Sequence, residues 1–241
     1  MTPLRTRLAA AALGAGLILA LPATALAAPA DRTRTPAVER TADLETLRAR
    51  CLEAIDKRLT ALETASGRLA EAEHVTDEHE ATLAGIIDDT SASLDALAGE
   101  IGADTEAEAL KAHCRSIFED HRVFALVLPR TRLVVASDTA GAAADRLDQA
   151  ADRIEQAIAE AEAAGQDVTQ AKADLEAMRS EIDSARTSAA GVPDGILGLT
   201  PADWNADHEV LTPAREALRS ARADLKAARD LARGIVAGLR A

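Results

Sequence analysis

"VFALVLPRTRLVVAS", Val123 to Ser137, is the most apolar run in a chain otherwise dominated by alanine and charge beyond its N-terminal region. Arg130, Arg132 and Pro129 speak against a membrane span, because charged groups and freed backbone groups find no partners in lipid. Val123, Val127, Val134 and Val135 favour a strand, but Pro-Arg is a poor two-residue hairpin turn: proline holds φ negative and neither residue is glycine or asparagine. Counting back along the chain, Leu110, Cys114, Ile117, His121, Phe124 and Leu128 recur at steps of four and three, and Val135 lies seven beyond Leu128. A helical register therefore enters the run and reappears on its far side. Pro129 removes one backbone hydrogen bond and biases Leu128 away from helix, which predicts a kink there. The expectation for 123–137 is a kinked helix, apolar on nearly all faces and surrounded by others; a short hairpin is the alternative.

The same spacing extends outward from this run. Leu52, Ile55, Leu59, Leu62, Ser66 and Leu69 form one stripe, and Leu83, Ile87, Thr90, Leu94, Leu97 and Ile101 a second. Ala171, Leu175, Met178, Ile182, Ala185 and Ala189 form another, and Leu211 to Leu239 carries a long one of leucine and alanine. Helix starts are marked by Thr-Pro-Ala at Thr35, Thr200 and Thr212, where a hydroxyl can cap and proline takes the first helical position. Thr105 with Glu108 and Asp167 with Gln170 read as capping boxes. A chain without tyrosine, with two phenylalanines and one tryptophan, lacks the residues that populate strands. The fold class is all-α: an elongated antiparallel helical bundle with coiled-coil-like heptad stripes and a Pro-kinked central helix.

The chain divides as follows: a signal peptide over 1–27, a flexible N-terminal segment over 28–35, a helical bundle over 36–190, a linker carrying Trp204 over 191–212, and a C-terminal helix packing on the bundle over 213–241. Arg5 and Arg7, the uncharged run from Leu8 to Leu21 and the small residues Ala25 and Ala27 have the layout of a cleaved secretory signal. The linker begins at "VPDG", a strong turn signal, and is expected to fold back on the bundle through Ile196 and Leu199. The formal net charge of −13 becomes about −15 once Arg5 and Arg7 are removed. That balance opposes nucleic acid and anionic headgroups, both of which are bound through Lys and Arg.

Cys51 and Cys114 are the only cysteines, and export would place them where disulfides persist. A Cys51–Cys114 bridge is expected, although ideal helix geometry puts the two at heights differing by roughly 10 to 15 Å; two buried thiols are the alternative. His74, His79, His113, His121 and His208 raise a metal reading, but only Glu71 with His74 has the Glu-x-x-His spacing of a di-iron bundle, so no metal site is expected. No catalytic residue and no cofactor site is expected either: there is no nucleophile elbow and no phosphate-binding glycine loop. Trp204, flanked by Asp203, Asn205 and Asp207, is the one ligand-binding candidate, as a sugar platform, against the plainer reading of a staple holding the linker to the bundle.

"CRSIFEDHRVFALVLPRTRLVVASD" (Cys114 to Asp138), Leu199 to Leu239, and "CLEAIDKRL" at Cys51 together resemble an uncharacterised group of exported, helical, coiled-coil-like proteins of high-GC actinobacteria. The resemblance implies an all-helical exported protein with the same paired cysteine positions, and no activity. The function expected is that of a secreted or envelope-associated, non-enzymatic bundle acting on a protein or cell-envelope partner. It would have no transmembrane segment in the mature chain, no nucleic acid partner, and the option of forming a homo-oligomer. The alternatives are an extracytoplasmic chaperone or adaptor for exported clients, and a cell-wall glycan-binding module centred on Trp204.

Overall fold

The computed structural model describes residues 36–240, with side chains from residue 41 onward. The signal peptide read over 1–27, the segment 28–35 and the cap at Thr35 lie outside them. Helices α1 (Pro36–Ala70), α2 (Asp77–Ala103) and α3 (Ala107–Glu119) lead into a π-helical turn (Val123–Val127) that runs directly into α4 (Leu128–Ala163). Helices α5 (Thr169–Ile196), α6 (Pro201–Ala206) and α7 (Thr212–Gly238) follow. The described residues contain no strand, so the chain is an all-α bundle.

Local chemistry sets the ends of these helices. The Thr76 hydroxyl accepts from His79 N at 3.2 Å, and Asp77, Glu78 and Glu80 fill the first turn of α2, where negative charge suits the helix dipole. At its other end, Arg48 of α1 donates to the carbonyls of Ile101 and Asp104, satisfying acceptors that the last turn of a helix leaves open. Helix α4 closes with Gly165 at φ +84°, with Gln166 N donating to Ala161 O and Gly165 N to Glu162 O. That is a Schellman closure, for which glycine costs least. The Thr200 capping box forms with Asp203. The boxes expected at Thr105 and Asp167 do not: α3 and α5 start one residue later without side-chain caps, and Gln170 instead donates to Asp174.

The stripe of α2 is buried as spaced, except for the partly exposed Thr90, and the leucines and isoleucine of α1 lie along its buried side. The run 123–137 is helical, so the hairpin alternative is excluded, but the break is not at Pro129. It falls at Asp120–Arg122, with Arg122 in the left-handed region at φ 42°. Pro129 sits in the first turn of α4, directly after the wider π turn, where the missing N–H and the ring are accommodated. The extra residue of that turn rotates the register. Phe124, expected inside, is 52 % exposed, while Val123, Leu126, Val127 and Leu128 are buried.

The expected turn at "VPDG" is also absent: α5 continues through Pro193 to Ile196, so the irregular connection begins at Leu197 rather than at 191. Pro193 cannot donate to the carbonyl of Ala189, four residues back. The Ser137 hydroxyl of α4 donates to that same carbonyl at 2.8 Å in a buried position. A side chain of the neighbouring helix thus replaces the missing backbone donor, and the helix persists.

Helices α1, α4 and α7 run in one direction and α2 and α5 in the other. Arg58 of α1 and His74, just beyond its end, lie against Phe124 and Arg146 in that order. Two hydrophobic cores lie in line along α4. The first joins α1, α2, α3, the π turn and the start of α4 with the end of α5 and the start of α7, including Ile196 and, at its edge, Leu199. The second packs the rest of α4 against α5 and α7 around Ala140, Ala144, Ala151, Ala185, Ala221 and Ala228. Alanine at these positions lets the axes approach toward the close end of the usual range.

Cys51 and Cys114 are disulfide-bonded, with Cα atoms 5.5 Å apart. The height mismatch disappears with the real helix bounds. Cys51 is about 19 residues, or about 28 Å of rise, before Ala70. Helix α2 returns about 40 Å, and Cys114 climbs back about 10 Å from the start of α3.

Two outcomes test this account. Replacing both cysteines by alanine opens a loop with a sequence separation of 63 and is expected to lower the unfolding free energy by about 4 kcal/mol in urea titration; an unchanged midpoint would show that the bridge constrains nothing. Ser137→Ala is expected to cost about 1–2 kcal/mol by leaving Ala189 O unsatisfied. In a Pro193→Ala background, where the backbone donor returns, that cost should largely vanish in a double-mutant cycle.

Candidate functional site

The basic residues of α7 step by four and three: Arg215, Arg219, Arg222, Lys226, Arg229 and Arg233. Each lies one position after a member of the stripe Ala214, Leu218, Ala221, Leu225, Ala228 and Ala232. That offset places the cations along one flank of the packed face. On α4 a parallel row at the same spacing carries Arg132, Arg146 and Arg153 among Ala136, Thr139, Ala143 and Ala150, with no carboxylate in it.

Three hollows open along this side. The largest, about 770 Å³, is bounded by α1, α4 and α7 and carries Arg68, Arg132 and Arg222. A smaller one of about 400 Å³ is bordered by Arg132, Arg215, Arg219 and Arg222. Farther along α4 and α7, one of about 540 Å³ is bordered by Arg153, Arg229, Arg233 and Arg240. Among the described residues, aspartate and glutamate line none of the three. Of these nine arginines only Arg233 makes an ion pair within the described residues, with Asp230 at 3.3 Å.

The carboxylates lie elsewhere. Asp56, Glu63, Asp88 and Asp95 border a groove between α1 and α2 whose described lining contains no cation. On the α4–α5 side, Arg179 is held by Asp152 and Glu155, and Arg186 by Asp145, Asp148 and Asp183. The hydrogen bonds that Arg179 donates to Glu155 and Arg186 to Asp145 raise the pKa of these two arginines above the usual value. The net negative charge is thus unevenly spread, and the repulsion of anions argued from the total does not apply to the arginine face.

Two further arginines are buried without a carboxylate. Arg130 closes the end of α5: its Nη1 donates to the carbonyls of Leu197 and Leu199 at 3.2 and 2.6 Å. Arg58 has less support. It is 8 % exposed, donates from Nη1 only to Ala54 O of its own helix at 2.7 Å, and its Nε has no partner. Its guanidinium carbon lies 4.5 Å from the Phe118 ring centre and 5.3 Å from that of Phe124. The two phenylalanines, each about half exposed, therefore cover a cation, with the ring faces supplying its electrostatic partner. Burial lowers the pKa of Arg58 and Arg130 below the ordinary arginine value.

The histidines are placed separately. His79 Nδ1 donates to Asp138 at 2.9 Å, and His113 Nδ1 to Asp104 at 3.0 Å. His121 Nδ1 donates to Ser116 O, leaving Nε2 to accept from Ser93. Arg146 donates to His74 Nε2. Among the described residues no group of three or more His, Cys, Asp or Glu is arranged to hold a metal ion. Trp204 lies in α6, half-buried against the first core, its ring 5.6 Å from that of His208. Its neighbour Asn205 donates to Glu119 O and accepts from Arg122 Nε at 2.6 Å, so α6 is pinned across the break between α3 and the π turn.

Sequence reading that follows apolar positions alone passes over the arginine row, although its four-three spacing on α7 is visible in the sequence. No protein-family model, curated protein or solved structure matches this chain.

Replacing the buried cation tests the cost assigned to it. Arg58→Met retains the length of the side chain and its packing against Phe118 and Phe124 while removing a charge without a carboxylate partner. It is expected to raise the unfolding free energy by about 1 kcal/mol in urea titration, and a loss of stability would show that the ring faces fully compensate the charge.

Proposed function

We propose that the protein is an exported, non-enzymatic binding protein that works at the cell envelope, with the arginine face of α4 and α7 docking on an anionic lipid surface. The observation that carries this reading is three hollows bordered by nine arginines and no carboxylate among the described residues, in a chain of net charge −13. Arginine suits phosphate and carboxylate groups through its planar, bidentate donors. Between the arginines the hollows are walled by alanine, valine, leucine and isoleucine, which favours lipid over the polar backbone of a nucleic acid.

Export is supported by the N-terminal pattern of Arg5, Arg7, the apolar run and Ala25–Ala27, and by the disulfide. No helix of the described residues is long and apolar enough to cross a membrane, in keeping with attachment from one side. The acidic groove between α1 and α2 would then face away from the bilayer, orienting the molecule.

Sedimentation with vesicles tests the reading. The mature chain is expected to sediment with vesicles containing phosphatidylglycerol, to stay in solution with pure phosphatidylcholine, and to be released by salt. Arg229→Glu, Arg233→Glu and Arg240→Glu together should weaken binding about a hundredfold or more, given about 1 kcal/mol per basic residue near an anionic surface. Equal binding to both vesicle types would remove the electrostatic basis of this function.

A further inference from the structure

The largest hollow differs from the two beside it in shape and in what walls it. On α4 it extends from Leu128 to Ala143, about 22 Å along the axis. Its interior is formed by Leu69 of α1, Leu128, Val135 and Ala140 of α4, and Leu225 of α7. Phe124 stands half-exposed at one end, turned outward by the π turn. Each of the three walls supplies one solvent-exposed arginine, Arg68, Arg132 and Arg222, and none of the three has a carboxylate partner among the described residues.

From this geometry we propose that the groove between α1, α4 and α7 holds the acyl chain of one long-chain fatty acid, whose carboxylate is taken by the arginines on its rim. The inference rests on the lipid-facing reading above and names the molecule taken into that same face. The apolar interior runs the length of the groove while the cations stand on its rim, an arrangement that suits an extended hydrocarbon chain ending in a single anionic head.

Charge selects the head. A neutral amphiphile would leave three arginines without a counter-charge beside an apolar surface, whereas a carboxylate receives charge-assisted, bidentate hydrogen bonds from a guanidinium. The volume also lies within the range of small-molecule sites that bury most of their ligand.

The test uses the mature, disulfide-bonded protein with palmitate below its aggregation concentration, followed by native mass spectrometry and by displacement of dansyl-undecanoate. The expected result is saturable binding of one palmitate per chain, with methyl palmitate binding at least tenfold more weakly. Arg68→Glu, Arg132→Glu and Arg222→Glu together should weaken palmitate by tenfold or more, and Ala136→Trp should abolish uptake. Thr139→Trp, at an exposed position on the groove wall, serves the same purpose if Ala136→Trp does not fold; circular dichroism and the urea midpoint establish which variants are native. Absence of a one-to-one complex, equal binding of acid and ester, or uptake untouched by a folded tryptophan variant would overturn the proposal. Wild-type protein that sediments with anionic vesicles but takes up no palmitate overturns the groove inference alone. Protein that takes up palmitate but ignores vesicles overturns the surface reading alone.

Discussion

Burial of one side of the helix from Val123 to Ala163 is the constraint on which the remaining structure depends. Its first turns close the core made with α1, α2 and α3, and its later turns close the alanine-rich core made with α5 and α7. Because one rigid element serves both, the two cores stand in line and the bundle is long. The disulfide joins α1 to α3 ahead of this axis, and the contacts of Thr76 and His79 with Asp138 tie the start of α2 to it. A helix used in this way has two flanks left over. One carries Asp145, Asp148, Asp152 and Glu155 toward the arginines of α5, and the other carries Arg132 and Arg153 on the side of α7.

That partition produces a polar molecule from an acidic composition. Carboxylates and arginines are paired where α4 meets α5, and the acidic side chains of the groove between α1 and α2 are in water. On α7, Lys226 and Arg233 pair with Asp230, while Arg215, Arg219, Arg222 and Arg229 face hollows without a carboxylate ion-pair partner among the described residues. Such an arrangement contributes little to stability, since exposed charges gain little from folding. Its consequence is a surface potential whose sign differs from that of the whole chain, which is the physical basis for reading this side as the working surface.

Backbone satisfaction explains where the proline and arginine signals were misleading. Pro129 and "VPDG" read as a kink and a turn because each proline deletes a donor. In the fold, the π turn ahead of Pro129 and the Ser137 hydroxyl at Ala189 O meet those needs, and both helices continue. Arg48 and Arg130 complete the ends of helices that are not their own. None of these side-chain partners is adjacent in sequence to the group it satisfies. The π turn also explains Phe124, because an inserted residue displaces every later side chain of that turn, and a count by fours and threes cannot register it.

The sequence by itself determined the helical class, the start at Pro201, the buried stripes of α2, α5 and α7, and that Cys51 and Cys114 are the only two thiols that could pair. These are properties of local periodicity and composition, since a side chain's place on its own helix follows from 3.6 residues per turn. The groove between α1, α4 and α7, the covering of Arg58 by two phenylalanines and the carboxylate-free character of the arginine face were decided only by the tertiary structure. Each depends on which flank of one helix lies beside which flank of another, and the packing of the two cores sets that angle.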